Sequence, residues 1–69
     1  MKREQFLSGL RVFCRKNGLA MDVDERHGKG SHYTVRVGHR RTTVKSGELA
    51  RKEVQTMLKQ LGLPADALG

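Results

Sequence analysis

The sequence predicts a two-layer α+β domain with the element order α-β-β-β-α. Apolar residues recur at helical period near both ends of the chain. Between those ends lie three short segments in which apolar and polar residues alternate, the signature of half-buried strands. A glycine-led turn at Gly38-His39 joins the last two segments into a hairpin.

The first helix is read in KREQFLSGLRVFCRKNG, residues 2–18. Phe6, Leu10, Phe13 and Cys14 recur on one side with Leu7 beside them, while Glu4, Ser8, Arg11 and Arg15 face elsewhere. Gly9 weakens that helix slightly. Lys16-Asn17-Gly18 supplies a basic last turn and then the glycine that helix ends favour.

The first strand follows. Leu19, Met21 and Val23 share one face, and Ala20, Asp22 and Asp24 the other. HGKGS, residues 27–31, reads as the connection to the second strand. In HYTVRV, residues 32–37, Tyr33, Val35 and Val37 take one face and His32, Thr34 and Arg36 the other. RRTTVK, residues 40–45, returns as the third strand.

The last helix has Ala50, Val54, Met57, Leu58 and Leu61 as its apolar stripe. It closes at Gly62, with Leu63 placed to pack back on Leu58 and Pro64 preventing continuation. The tail ADALG adds one turn or frays. Amphipathic helices need an apolar sheet face to cover. Both helices are therefore expected over the Leu19, Met21, Val23, Tyr33 and Val35 side.

The Gly38-His39 turn sets a register. Val37 pairs with Arg40, Arg36 with Arg41, Val35 with Thr42, Thr34 with Thr43, Tyr33 with Val44, and His32 with Lys45. Tyr33, Val35, Thr42 and Val44 then face the helices. His32, Thr34, Arg36, Arg41, Thr43 and Lys45 form an open face, which is expected to carry no acid. Arg36 against Arg41 places like charges across strands, which is destabilising unless an anion meets them there.

Charge points the same way. The chain has 69 residues, one domain's worth, with 14 Lys and Arg against 7 Asp and Glu, a net charge of +7. So short a chain buries a small core, which makes a partner surface unsurprising. From Arg26 to Gly47 there is no acidic residue, and all three histidines fall in that window. Such basicity indicates a polyanionic partner, nucleic acid or an acidic protein. A membrane surface fits less well, because the charges do not lie on one long amphipathic helix. No apolar run approaches the ~20 residues of a membrane span, and no signal peptide is evident. Cys14 is the only cysteine, which excludes a disulfide framework and a cysteine-based zinc site and fits a reducing cytoplasm.

His32 is the residue whose placement suggests chemistry. RNA cleavage without a metal needs a base for the 2′-OH, an acid for the leaving 5′ oxygen, and cations for the charge that builds on phosphorus oxygens. Histidine titrates near neutrality and suits either proton role. Lys29, Arg36 and Lys45 surround it in the predicted register and can hold a phosphate, and Ser31 can hydrogen-bond one. A surface histidine with no role is the plainer alternative. His27 and His39 enter or occupy turns. No helical pair or carboxylate neighbour supports a three-histidine zinc site, so no metal is expected. The GKGS stretch lacks P-loop spacing. Cys14 and Met57 lie on helix stripes and read as core, and Tyr33 faces the core.

The pieces GKGSHYTVRV, RTTV at 41–44, GEL at 47–49 and MLKQLGL at 57–63 together resemble the HicA toxin family of prokaryotic toxin–antitoxin systems. Order and spacing match over nearly the whole chain. The resemblance implies a fold similar to a double-stranded-RNA-binding domain and a small, metal-independent endoribonuclease that cleaves mRNA without a cofactor. It carries the catalytic role onto His32, the histidine of Gly30-Ser31-His32. It also implies a HicB-type antitoxin as partner. Phosphate binding is expected at Lys29, Ser31, Arg36, Arg41 and Lys45. Lys29, Lys45, Tyr33 or water can serve as the second proton-transfer group. Two positions depart from the family pattern: Lys45-Ser46 stands where members commonly have Pro-His, and Lys52-Glu53 where they often have Gly-Thr. A non-catalytic RNA-binding module and a protein-docking domain are the other readings of the same basic face.

Overall fold

The computed structural model describes residues 1–25 and 32–69. Helix α1 spans Arg3–Lys16, strands β1, β2 and β3 span Met21–Asp24, His32–Val37 and Arg40–Lys45, and helix α2 spans Arg51–Gln60. The strands form one antiparallel sheet in the order β1-β2-β3. The α+β class and the element order are those expected from periodicity.

One apolar cluster joins the layers. Phe6, Leu10 and Cys14 of α1, Val35, Val37 and Val44 of the sheet, and Val54, Met57 and Leu58 of α2 are all buried in it. Strand side chains alternate between faces. Burying the Val35 and Val44 side against both helices therefore leaves the His32 and Lys45 side open. The β2–β3 register matches the expected one at all six pairs, from His32 opposite Lys45 to Val37 opposite Arg40. At the turn Gly38 takes φ 63°, as a hairpin turn with glycine first requires, and among the described residues no non-glycine residue has positive φ.

The helix ends are built alike. At the third helical position of α1 the Gln5 side chain accepts from the Lys2 N–H at 2.8 Å, and in α2 Glu53 accepts from the Ala50 N–H at 2.8 Å. Each satisfies a donor that the helix itself leaves unpaired. At the far ends, the Leu19 N–H donates to the Cys14 carbonyl at 2.8 Å and the Leu63 N–H to the Leu58 carbonyl at 2.9 Å.

Two details differ from the sequence reading, and of the two outcomes open to the C-terminal tail the structure takes the turn, with the Ala67 N–H donating to the Pro64 carbonyl at 3.0 Å. Leu19 is not on the covered strand face; it remains 38% exposed and β1 begins at Met21. Its amide is already committed to ending α1, which holds the residue out of the sheet. Ala50 is exposed and precedes α2, while Leu49, just before it, is buried. Leu49 and Val54 occupy the positions of a hydrophobic staple, which sets the angle at which the chain enters the helix. The C-terminal tail packs: Ala67 is buried and Leu68 lies against the core. Gly9 makes room for it, since a Cβ there would stand 3.1 Å from Leu68 Cδ2.

Tyr33 lies on the covered face, where the Arg3 guanidinium stacks 3.6 Å from its ring centroid. The first residues pair with the segment before α2: the Arg3 N–H donates to the Gly47 carbonyl at 3.1 Å and the Leu49 N–H to the Met1 carbonyl at 2.7 Å. Among the described residues no helix is long and apolar enough to cross a membrane.

Candidate functional site

The open sheet face collects side chains by strand parity alone. β2 contributes His32, Thr34 and Arg36, and β3 contributes Arg41, Thr43 and Lys45. His32, Arg36, Arg41, Thr43 and Lys45 are exposed. Four of the six predicted site residues, His32, Arg36, Arg41 and Lys45, therefore share one face. Lys29 and Ser31, and also His27, lie outside the described residues.

The expectation of an acid-free face is corrected. β1 pairs with β2 so that Asp22 stands opposite Arg36 and Asp24 opposite Thr34. The polar side of β1 thus joins the open face, and Asp22, Asp24, Thr34, Arg36 and Arg41 line one groove. Arg36 has Arg41 on one flank and Asp22 on the other. Carboxylates from within the chain face the arginine pair, so the like-charge contact does not by itself demand an external anion.

A second groove lies where β3 meets α2. His32, Thr43 and Lys45 from the open face line it together with Lys52, Glu53, Thr56 and Gln60. Lys45 Nζ stands 3.0 Å from Glu53 Oε2, both side chains remaining substantially exposed. The Ala50 N–H, and after it the Lys45 ammonium, hold the Glu53 carboxyl below the ordinary glutamate range. The buried Thr42 hydroxyl donates to Gln60 Oε1, so a polar group on the covered face is satisfied. That bond turns the Gln60 amide nitrogen away from Thr42 and leaves its donors for other partners.

These contacts sort the remaining candidates. Tyr33 occupies the face opposite His32 and is not placed to share its chemistry. Lys45 is on the right face but already engaged by a carboxylate. Cys14 is buried in the core, and burial pushes its thiol pKa up, away from nucleophilic use. Among the described residues no group of three His, Cys, Asp or Glu side chains is arranged to hold a metal ion.

Sequence reasoning did not include Asp22, Asp24, Glu53 or Gln60 in the site. For the aspartates a signal existed, because strand alternation already put both on the polar side of the first strand. For Glu53 and Gln60 no local pattern reports which strand their helix lies against. Chemically, the assembled face offers cations to hold a phosphate beside an imidazole able to carry a proton. No family model matches the chain, and no curated protein or solved structure matches it either.

Proposed function

We propose that this chain is a metal-independent endoribonuclease that cleaves mRNA, the toxin of a HicA/HicB-type toxin–antitoxin pair. The observation that carries the reading is the exposed His32 directly opposite Lys45, on the face that also bears Arg36 and Arg41. In this reading the cations hold the scissile phosphate and His32 moves a proton during attack of the adjacent 2′-OH on phosphorus. Lys29 and Ser31 complete the phosphate contacts. The likeness to double-stranded-RNA-binding domains, a HicB-type antitoxin covering the open face, and action in the cytoplasm belong to the same proposal.

The test is induced expression of wild type beside His32→Ala, with growth and RNA integrity followed, and cleavage by the purified protein in EDTA. Wild type is expected to shorten RNA and arrest growth with or without the chelator. His32→Ala is expected to do neither while keeping most of its RNA affinity. Equal cleavage by the variant removes His32 from the chemistry. RNA binding by wild type with no change in RNA length makes the domain a binding module instead.

A further inference from the structure

Metal-free transesterification needs two proton-transfer groups, and His32 supplies one. Tyr33 is on the wrong face, and Lys45, an ammonium bound to a carboxylate, is a poor base. The carboxylate that binds it lines the same groove as the imidazole. We propose that Glu53 is the general base of the cleavage reaction and His32 its general acid, an inference that rests on the endoribonuclease reading above.

Among the described residues Glu53 is the one carboxylate that lines the groove with His32. Asp22 and Asp24 line the groove at the Arg36 and Arg41 end, without His32. Glu48 accepts from the Met1 ammonium at 2.7 Å. Glu53 is oriented at both oxygens, Oε1 by the Ala50 N–H at 2.8 Å and Oε2 by Lys45 Nζ at 3.0 Å. A carboxylate has about four acceptor sites, so each oxygen keeps capacity for a substrate hydroxyl. The side chain is 41% exposed, so a substrate can reach it. Like any exposed glutamate it is ionised at neutral pH, and the two contacts that lower its pKa orient it while reducing its basicity. Lys45 stands across from His32 and against Glu53, the position from which one cation can face a phosphate lying between the two. Among the described residues the charged and titratable side chains of this groove are His32, Lys45, Lys52 and Glu53.

In the reaction, the Glu53 carboxylate takes the proton of the 2′-OH and the 2′ oxygen bonds to phosphorus. The bond from phosphorus to the 5′ oxygen breaks, and the His32 imidazolium protonates that oxygen. The products are a 2′,3′-cyclic phosphate and a 5′-hydroxyl. Glu53 is left protonated and His32 neutral, and proton exchange with water restores both.

Glu53→Gln is a clean test because Gln5 already makes the same capping bond at the same position of α1. Cleavage of a transcript is followed across pH for wild type, Glu53→Gln and Lys45→Gln, with folding checked by circular dichroism. Wild type is expected to give a bell-shaped profile. Glu53→Gln is expected to lose at least about a hundredfold in rate, to lose the acid limb, and to bind RNA at least as tightly as wild type. Lys45→Gln removes one of the two contacts that depress the carboxyl, so its acid limb moves to higher pH. A Glu53→Gln rate within a few-fold of wild type with the acid limb intact overturns the assignment. So does an acid limb that Lys45→Gln leaves in place, a measurement independent of how Glu53→Gln folds. Wild type that cleaves no RNA at any pH overturns both this inference and the endoribonuclease reading. Loss of cleavage in His32→Ala alone, with Glu53→Gln active, overturns only this one.

Discussion

His32 of β2 stands directly opposite Lys45 of β3, and both side chains are exposed. A phosphate beside the imidazole is therefore within the field of that ammonium. Replacing Lys45 with Ala is expected to weaken RNA binding and to lower the log–log salt slope by about 0.7, the value for one contact on a single strand. The same change frees Glu53, whose carboxylate then repels the incoming phosphate. Affinity should therefore fall further than the loss of one phosphate contact accounts for. Salt titrations of RNA binding by wild type and Lys45→Ala measure both effects, and an unchanged slope contradicts the contact.

Asp22 faces Arg36 across β1 and β2. Its carboxylate competes with any phosphate for that guanidinium and lowers the positive potential of the β1 side. Asp22→Asn keeps the side-chain size and removes the charge. It is expected to tighten RNA binding several-fold at low salt, with the gain shrinking as added salt screens the interaction. Unchanged or weaker binding would show that RNA does not approach this side of the face.

Gly62 ends α2 with φ 72°, and a Cβ at that position would stand 2.9 Å from Cδ and Nε of Arg40. Gly62→Ala is therefore expected to lose about 1–2 kcal/mol of stability to the left-handed backbone, with a further loss from displacing Arg40. Urea denaturation measures the total, and repeating it in an Arg40→Ala background isolates the second part. Equal losses in both backgrounds would mean that the Arg40 side chain gives way freely.

Much of this site could be read along the chain. Alternation in residues 32–37 and 40–45, with an even-numbered turn between them, leaves one assignment of faces, because side-chain direction repeats every two residues. His32, Arg36, Arg41 and Lys45 fall together on that ground alone. The helix stripes that bury Phe6, Leu10, Val54 and Leu58 likewise follow from a period of 3.6 residues. Leu19 and Ala50 were misplaced because each sits where one element gives way to the next. There a cap and a strand, or a cap and a helix, compete for the same residue.

Which side chains share a strand face or a helix stripe is encoded locally, since these are relations between residues a few positions apart. Tertiary structure alone decided which distant elements meet. The pairing of Asp22 with Arg36 depends on how β1 registers against β2, and the contact of Glu53 with Lys45 depends on where α2 docks along β3. Both follow from packing into one core, against which Met21 and Val23 of β1 lie and in which Val35, Val44, Val54 and Met57 are buried. A core orients every element that it joins at once, whereas local periodicity orients each element only about its own axis. For that reason the basic residues of the face and the polar side of β1 were legible along the chain, whereas the partner of each carboxylate, Arg36 for Asp22 and Lys45 for Glu53, was not.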